Sequence, residues 1–110
     1  MTDKPTATLD HGSDQVILAL HGEVDVLNVD QVRVAVNEAI ALRPASLVVD
    51  LADLSFIDST GLGALIFGFQ RAREQGVSYR LARPTRSVHQ VLVMSGLLEL
   101  VEVVEPPVES

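Results

Sequence analysis

The sequence predicts an α/β fold: a small, mostly parallel mixed sheet with its helices mainly on one face. Three observations carry this expectation. Apolar runs of strand length alternate along the chain with stretches of helical period. Aliphatic residues dominate, aromatics make up 4% of the sequence and tryptophan is absent, which suits a sheet covered by helices. A chain of 110 residues is long enough for one core and too short for two. Residues 1–110 are therefore expected to form one domain, with its core over about 6–104.

The elements follow in order. Val16 to Leu20 reads as a strand, preceded by a weaker one around Thr6 to Leu9, with His11-Gly12-Ser13-Asp14 as the turn between them. His21 to Asp25 breaks the pattern. From Asn28, a candidate cap, the period becomes helical, with Val29, Val32, Val36, Ala39 and Ile40 on one stripe. Arg43-Pro44 ends that helix, because the residue before proline disfavours the helical region. Ser46 to Leu51 reads as a buried strand and the residues after it as a loop. A second helix runs from Ser59 to about Gln75, with Leu62, Leu65, Ile66, Phe69 and Ala72 facing the core and Gly76 as its stop. Val77 to Ala82 is a strand. Pro84 opens a third helix, striped by Val88, Val91, Leu92 and Ser95 and ended by Gly96. Val101 to Val104 is the last strand. The order is thus β-β-α-β-α-β-α-β, with an antiparallel hairpin at one edge.

Composition excludes several function classes. A formal charge of -7 argues against nucleic acid, whose phosphates would be repelled. The absence of cysteine removes disulfides and thiolate metal sites and fits a cytoplasmic location. Met1 to Pro5 lacks the features of a signal peptide, and no apolar run approaches the length of a membrane span. His11, His21 and His89 have no ligand spacing, so no metal is expected. No cofactor is expected either: Gly61-x-Gly63 lacks the further glycine of a dinucleotide loop and the lysine of a phosphate-binding loop. Asp58 adjoins Ser59 in sequence, where it cannot act behind a histidine in a hydrolase triad, so an enzyme is not expected. Arg71, Arg73, Arg80, Arg83 and Arg86 read as a solvated basic face, with a docking patch for an acidic partner as the alternative.

The most informative stretch runs from Leu51 to Leu65. A strand leads through a short loop into Asp58-Ser59-Thr60, all good residues for a helix N-terminus. Gly61 and Gly63 follow, each costing roughly 1 kcal/mol of helix stability relative to alanine. They are expected to leave the first turn uncovered. A hydroxyl at the positive end of a helix is a favourable place for a phosphate. Ligands and partners of such sheets bind outside the carboxyl ends of the strands. The loop holding Glu23 and Asp25 and the loop holding Asp58 and Ser59 both follow strands, so they are expected on one rim.

Three segments in family-like order extend this reading. They are Gly22-Glu23-Val24-Asp25, Asp53 to Gly63, and Met94-Ser95-Gly96-Leu97. Together they resemble the STAS family of bacterial anti-sigma factor antagonists over about residues 9 to 104. The resemblance implies that Ser59 is a phosphate acceptor. It implies a partner-binding surface of Glu23, Asp25, Asp58, Ser59, Thr60 and Gly61. The implied partners are an anti-sigma factor that is also a serine kinase, and a serine phosphatase, with the chain itself a monomer or at most a weak dimer. A STAS-like scaffold subunit of a transport or stressosome-type complex, with Ser59 unmodified, is the alternative. Many family members carry a fourth helix after the last strand. Here Glu105-Pro106-Pro107-Val108-Glu109-Ser110 is expected to be a flexible tail instead.

Overall fold

The structure, a computed structural model, describes residues 5–104. Its elements are β1 (Ala7–His11), β2 (Gln15–Val24), α1 (Val29–Ala41), β3 (Ser46–Ile57), α2 (Ser59–Gln75), β4 (Ser78–Ala82), α3 (Arg86–Ser95), a 3-10 turn (Leu97–Glu99) and β5 (Glu102–Val104). The expectations for a tail at 105–110 and for the fourth helix lie outside the described residues. The five strands form one sheet in the order β1-β2-β3-β4-β5. β1 runs antiparallel to β2 and the other neighbours are parallel. This is the expected element order and α/β class.

The side on which the helices lie follows from topology. Each new parallel strand is added on the same side of the last, and a right-handed crossover then places every connecting helix on the same face. The core agrees with that rule. Val16, Leu18 and Leu20 of β2, Leu47, Val49 and Leu51 of β3, and Leu81 of β4 belong to one cluster with residues of α1, α2 and α3. Side chains alternating to the other face include Ile17, Ala19, Val48, Asp50, Arg80 and Ala82. Two ion pairs border that open face, Asp50 with Arg83 at 2.9 Å and Arg80 with Glu102 at 3.1 Å. Arg71 pairs along its own helix with Glu74. The five arginines from Arg71 to Arg86 therefore sit on several elements, and among the described residues Arg71, Arg80 and Arg83 pair with carboxylates.

The central strands depart most from expectation. β2 continues to Val24 and β3 to Ile57, each absorbing a stretch that reads as loop in the sequence. Their pairing shifts register between Ala19 and His21 and again between Gly22 and Glu23. Gly22, with φ of 74°, takes the left-handed conformation that this irregular pairing uses. Beyond Leu51 the buried residues of β3 are Leu54 and Ile57, three apart rather than two. That break in alternation is why the strand looks like a loop.

β4 ends at Ala82, so the extension of β3 has no strand on that side. Two hydroxyls serve its carbonyls instead: Thr85 Oγ1 donates to Leu54 O at 2.9 Å and Ser87 Oγ to Ser55 O at 3.0 Å. This also explains why α3 starts at Arg86 rather than at Pro84. Thr85 occupies the cap position but commits its hydroxyl to β3. Ser95, expected on the buried stripe, is exposed and donates to Leu92 O. Gly76 and Gly96 close α2 and α3 in the left-handed conformation, as expected.

The buried face of α2 is narrower than its apolar pattern suggests. Gly61, Ala64, Leu65, Gly68 and Ala72 are buried, while Leu62, Ile66 and Phe69 are half-buried. Small residues let the helix approach the sheet closely. A Cβ on Gly68 would lie 2.7 Å from the Tyr79 hydroxyl, which donates to Leu65 O at 2.9 Å.

Candidate functional site

The site is built where β2 and β3 end. Val24 and Ile57 are their last paired residues, and Asp58 N donates to Val24 O at 3.3 Å. Asp25 and Asp58 therefore leave the sheet side by side.

Each carboxylate has a structural task. Asp58 is the N-cap of α2, in extended conformation, and its Oδ1 accepts the Gly61 N–H at 2.9 Å. Of the three candidate caps it alone takes that position. Ser59 is the first helical residue and exposed, and Thr60 is half-buried. Among the described residues, neither hydroxyl makes a side-chain hydrogen bond.

The two glycines divide. A Cβ on Gly61 would fall 2.6 Å from Ile57 Cγ1 and 2.8 Å from Val24 Cγ1, whereas one on Gly63 would meet nothing within 4 Å. Gly61 is thus required by the packing of α2 on the strand ends. It is buried beneath the site, and the sequence expectation that both glycines uncover the turn holds only for Gly63.

The turn after β2 is tightly bonded. Asp25 Oδ1 accepts the Leu27 N–H at 2.9 Å, and Asn28 Oδ1 accepts the Asp25 N–H at 2.9 Å. Asn28 Nδ2 donates to Glu23 O at 2.7 Å, and the Val29 N–H reaches Asp25 O at 2.9 Å. Asn28 stands at the cap position of α1, as expected, but its side chain serves the turn rather than the helix. Glu23 is exposed and lies opposite Phe56 across the strands.

A neighbouring cluster was not legible in the sequence. His21 Nδ1 lies 2.7 Å from Asp53 Oδ2 and Nε2 lies 2.9 Å from Thr8 Oγ1. The three side chains stand on β2, β3 and β1. Only the register places them together, and a strand break at His21 hides that register. Hydroxyl, imidazole and carboxylate occur here in the order used by nucleophilic hydrolases. The flanking His21 N–H, however, is committed to Thr6 O at 2.9 Å within the sheet edge, and the cluster acts as a brace across three strands. Among the described residues, no group of three or more metal-ligating side chains is assembled.

An exposed hydroxyl beside two carboxylates can accept a group from an external enzyme and present it to a partner. The fold is a one-sheet α/β domain, and the candidate residues follow the carboxyl ends of its parallel strands. Residues 6–110 match the family model of the STAS domain, and the chain belongs to that family. It is 30% identical over 103 residues to an anti-sigma F factor antagonist of Paenibacillus polymyxa, covering 93% of this chain and 88% of that one. It is 31% identical over 106 residues to the anti-sigma-F factor antagonist RsfA of Mycobacterium tuberculosis, covering 94% and 82%. Among solved structures, unphosphorylated SpoIIAA has a TM-score of 0.77 at 24% identity, over 91% of this chain and 89% of that one. SpoIIAA of Bacillus in its phosphorylated form has a TM-score of 0.70, also at 24% identity, over 91% and 92%.

Proposed function

We propose that this protein is an anti-sigma factor antagonist acting as a phosphorylation-controlled switch. With Ser59 unmodified it binds an anti-sigma factor that is also a serine kinase, and the sigma factor is set free. Phosphate transferred to Ser59 releases the kinase, and a serine phosphatase restores the binding form. The protein works in the cytoplasm as a binding partner rather than an enzyme and uses no cofactor of its own. One observation carries this reading. Ser59 is an exposed hydroxyl at the first position of α2, on a rim with Glu23, Asp25 and Asp58, in a chain 30% identical to an antagonist over 93% of its length.

The physics needs no refolding. A phosphate brings nearly two negative charges to a rim that already carries three carboxylates, and the first turn of α2 holds no lysine or arginine. Within the free chain the helix dipole returns about 0.3–2 kcal/mol. A partner covering Ser59 meets a buried, unpaired dianion instead. A penalty of several kcal/mol weakens binding by over about a hundredfold. The family relation to SpoIIAA, known in phosphorylated and unphosphorylated forms, supports the reading.

The test is to incubate wild type, Ser59→Ala and Thr60→Ala with the purified anti-sigma factors of the source organism and ATP, then to map phosphate by residue. Phosphate on Ser59, lost only in Ser59→Ala, is expected. Phosphate that persists in Ser59→Ala and vanishes in Thr60→Ala would overturn the assignment.

A further inference from the structure

We propose that Val26, Leu27 and Phe56 form the apolar anchor by which the anti-sigma factor holds this chain. The proposal rests on the switch reading above. Leu27 is 90% exposed, Val26 69% and Phe56 48%. Val26 and Leu27 follow the last residue of β2 by two and three positions, and Phe56 precedes the last residue of β3 by one. Val26, Leu27 and Phe56 therefore stand at or just past the carboxyl ends of β2 and β3, the ends that Ser59 also follows. Clustered apolar exposure beside a polar border is the anatomy of a binding patch.

The patch is also held in place. Leu27 N–H is fixed to Asp25 Oδ1, and Asn28 ties Glu23 to Asp25 through both ends of its amide. A side chain presented by such a turn loses little freedom on binding, so its burial converts efficiently into affinity.

Charge selects the occupant. Glu23, Asp25 and Asp58 border the patch in a chain of net charge -7. A second copy would bring these carboxylates against their own likeness, and an anionic membrane would repel them. A protein pocket that is apolar at its centre and edged by lysine or arginine fits. A partner seated across the paired ends of β2 and β3 covers both loops, so phosphate on Ser59 weakens its binding by charge and leaves the anchor intact.

The test titrates the full chain, without ATP, against each purified anti-sigma factor of the source organism. Leu27→Ser and Phe56→Ser are expected to weaken binding about tenfold or more. Leu27→Met should stay within about threefold of wild type, since it keeps apolar bulk. Val34→Ser is the control, as Val34 is 56% exposed on α1 and off the rim. It should bind as wild type does. Melting curves should be unchanged for Leu27→Ser. If Leu27→Ser and Phe56→Ser bind normally while Ser59→Asp binds poorly, the switch stands and the anchor falls. If wild type binds none of the anti-sigma factors, both fall. A wild-type dimer in sedimentation that Leu27→Ser converts to monomer would make a second copy the occupant and overturn the proposal. So would wild-type binding to anionic phospholipid vesicles that Leu27→Ser abolishes.

Discussion

At the scale of single residues, Asp25 and Asp58 carry structural tasks on the proposed rim and Ser59 carries none. Ser59 is not the cap of α2, so Ser59→Ala should change stability by less than about 0.5 kcal/mol, the usual scale for an exposed site. Asp58→Ala removes the bond to the Gly61 N–H and should cost about 1 kcal/mol. Denaturant melts of the two variants check this difference. Ser59→Asp should fold equally well and bind the anti-sigma factor at least about tenfold more weakly than Ser59→Ala. Equal affinities would remove charge from the mechanism. Asp25 needs two substitutions to read. Asp25→Asn keeps an oxygen for the Leu27 N–H and removes only the charge, whereas Asp25→Ala also frees the turn. A small loss of affinity in the first and a larger one in the second are expected, with the fold intact in both. Titrations unchanged in both would take Asp25 off the surface. The sequence already marks these residues as candidates. It does not reveal their structural tasks, because a carboxylate that caps a helix and one that meets a partner are the same residue type.

At the scale of elements, the first turn of α2 gives a paired expectation of opposite sign. Gly61→Ala drives a methyl against Ile57 and Val24 and should destabilise by about 1–3 kcal/mol. Gly63→Ala enters open space in a helix and should stabilise by about 0.5–1 kcal/mol. Melts that move in the same direction would contradict the close approach of α2 to the strand ends. The helices were legible because their period and stops are local: Gly76 and Gly96 end α2 and α3 where the sequence places them. The second halves of β2 and β3 were not. A bulge at Gly22 and paired carbonyls satisfied by Thr85 and Ser87 are relations between distant segments, and they leave no period of two to read. The same blindness hid the Thr8–His21–Asp53 brace, which exists only once the register is known.

At the scale of the whole molecule, alternation of strands and helices and the right-handed crossover suffice to place all three helices on one face over one core. That core contains one ionisable side chain whose titration reports on global stability. Burial pushes the Tyr79 hydroxyl well above its ordinary value of about 10. The unfolded chain then loses this proton at a pH where the folded chain keeps it. The stabilisation is complete below about pH 10 and is lost as pH rises beyond it, by up to about 1.4 kcal/mol per pH unit. The background is quiet, since Tyr79 is the only tyrosine, Lys4 is the only lysine and arginine stays charged. Tyr79→Phe should cost about 0.5–1.5 kcal/mol at pH 8, from the lost bond to Leu65 O. It should also flatten the fall in stability above pH 10. Denaturant melts of both proteins at half-unit steps from pH 8 to about pH 11.5 measure the two slopes. A slope that survives in Tyr79→Phe would mean that alkali acts elsewhere, and that Tyr79 is not the group tying α2 to β4 against unfolding.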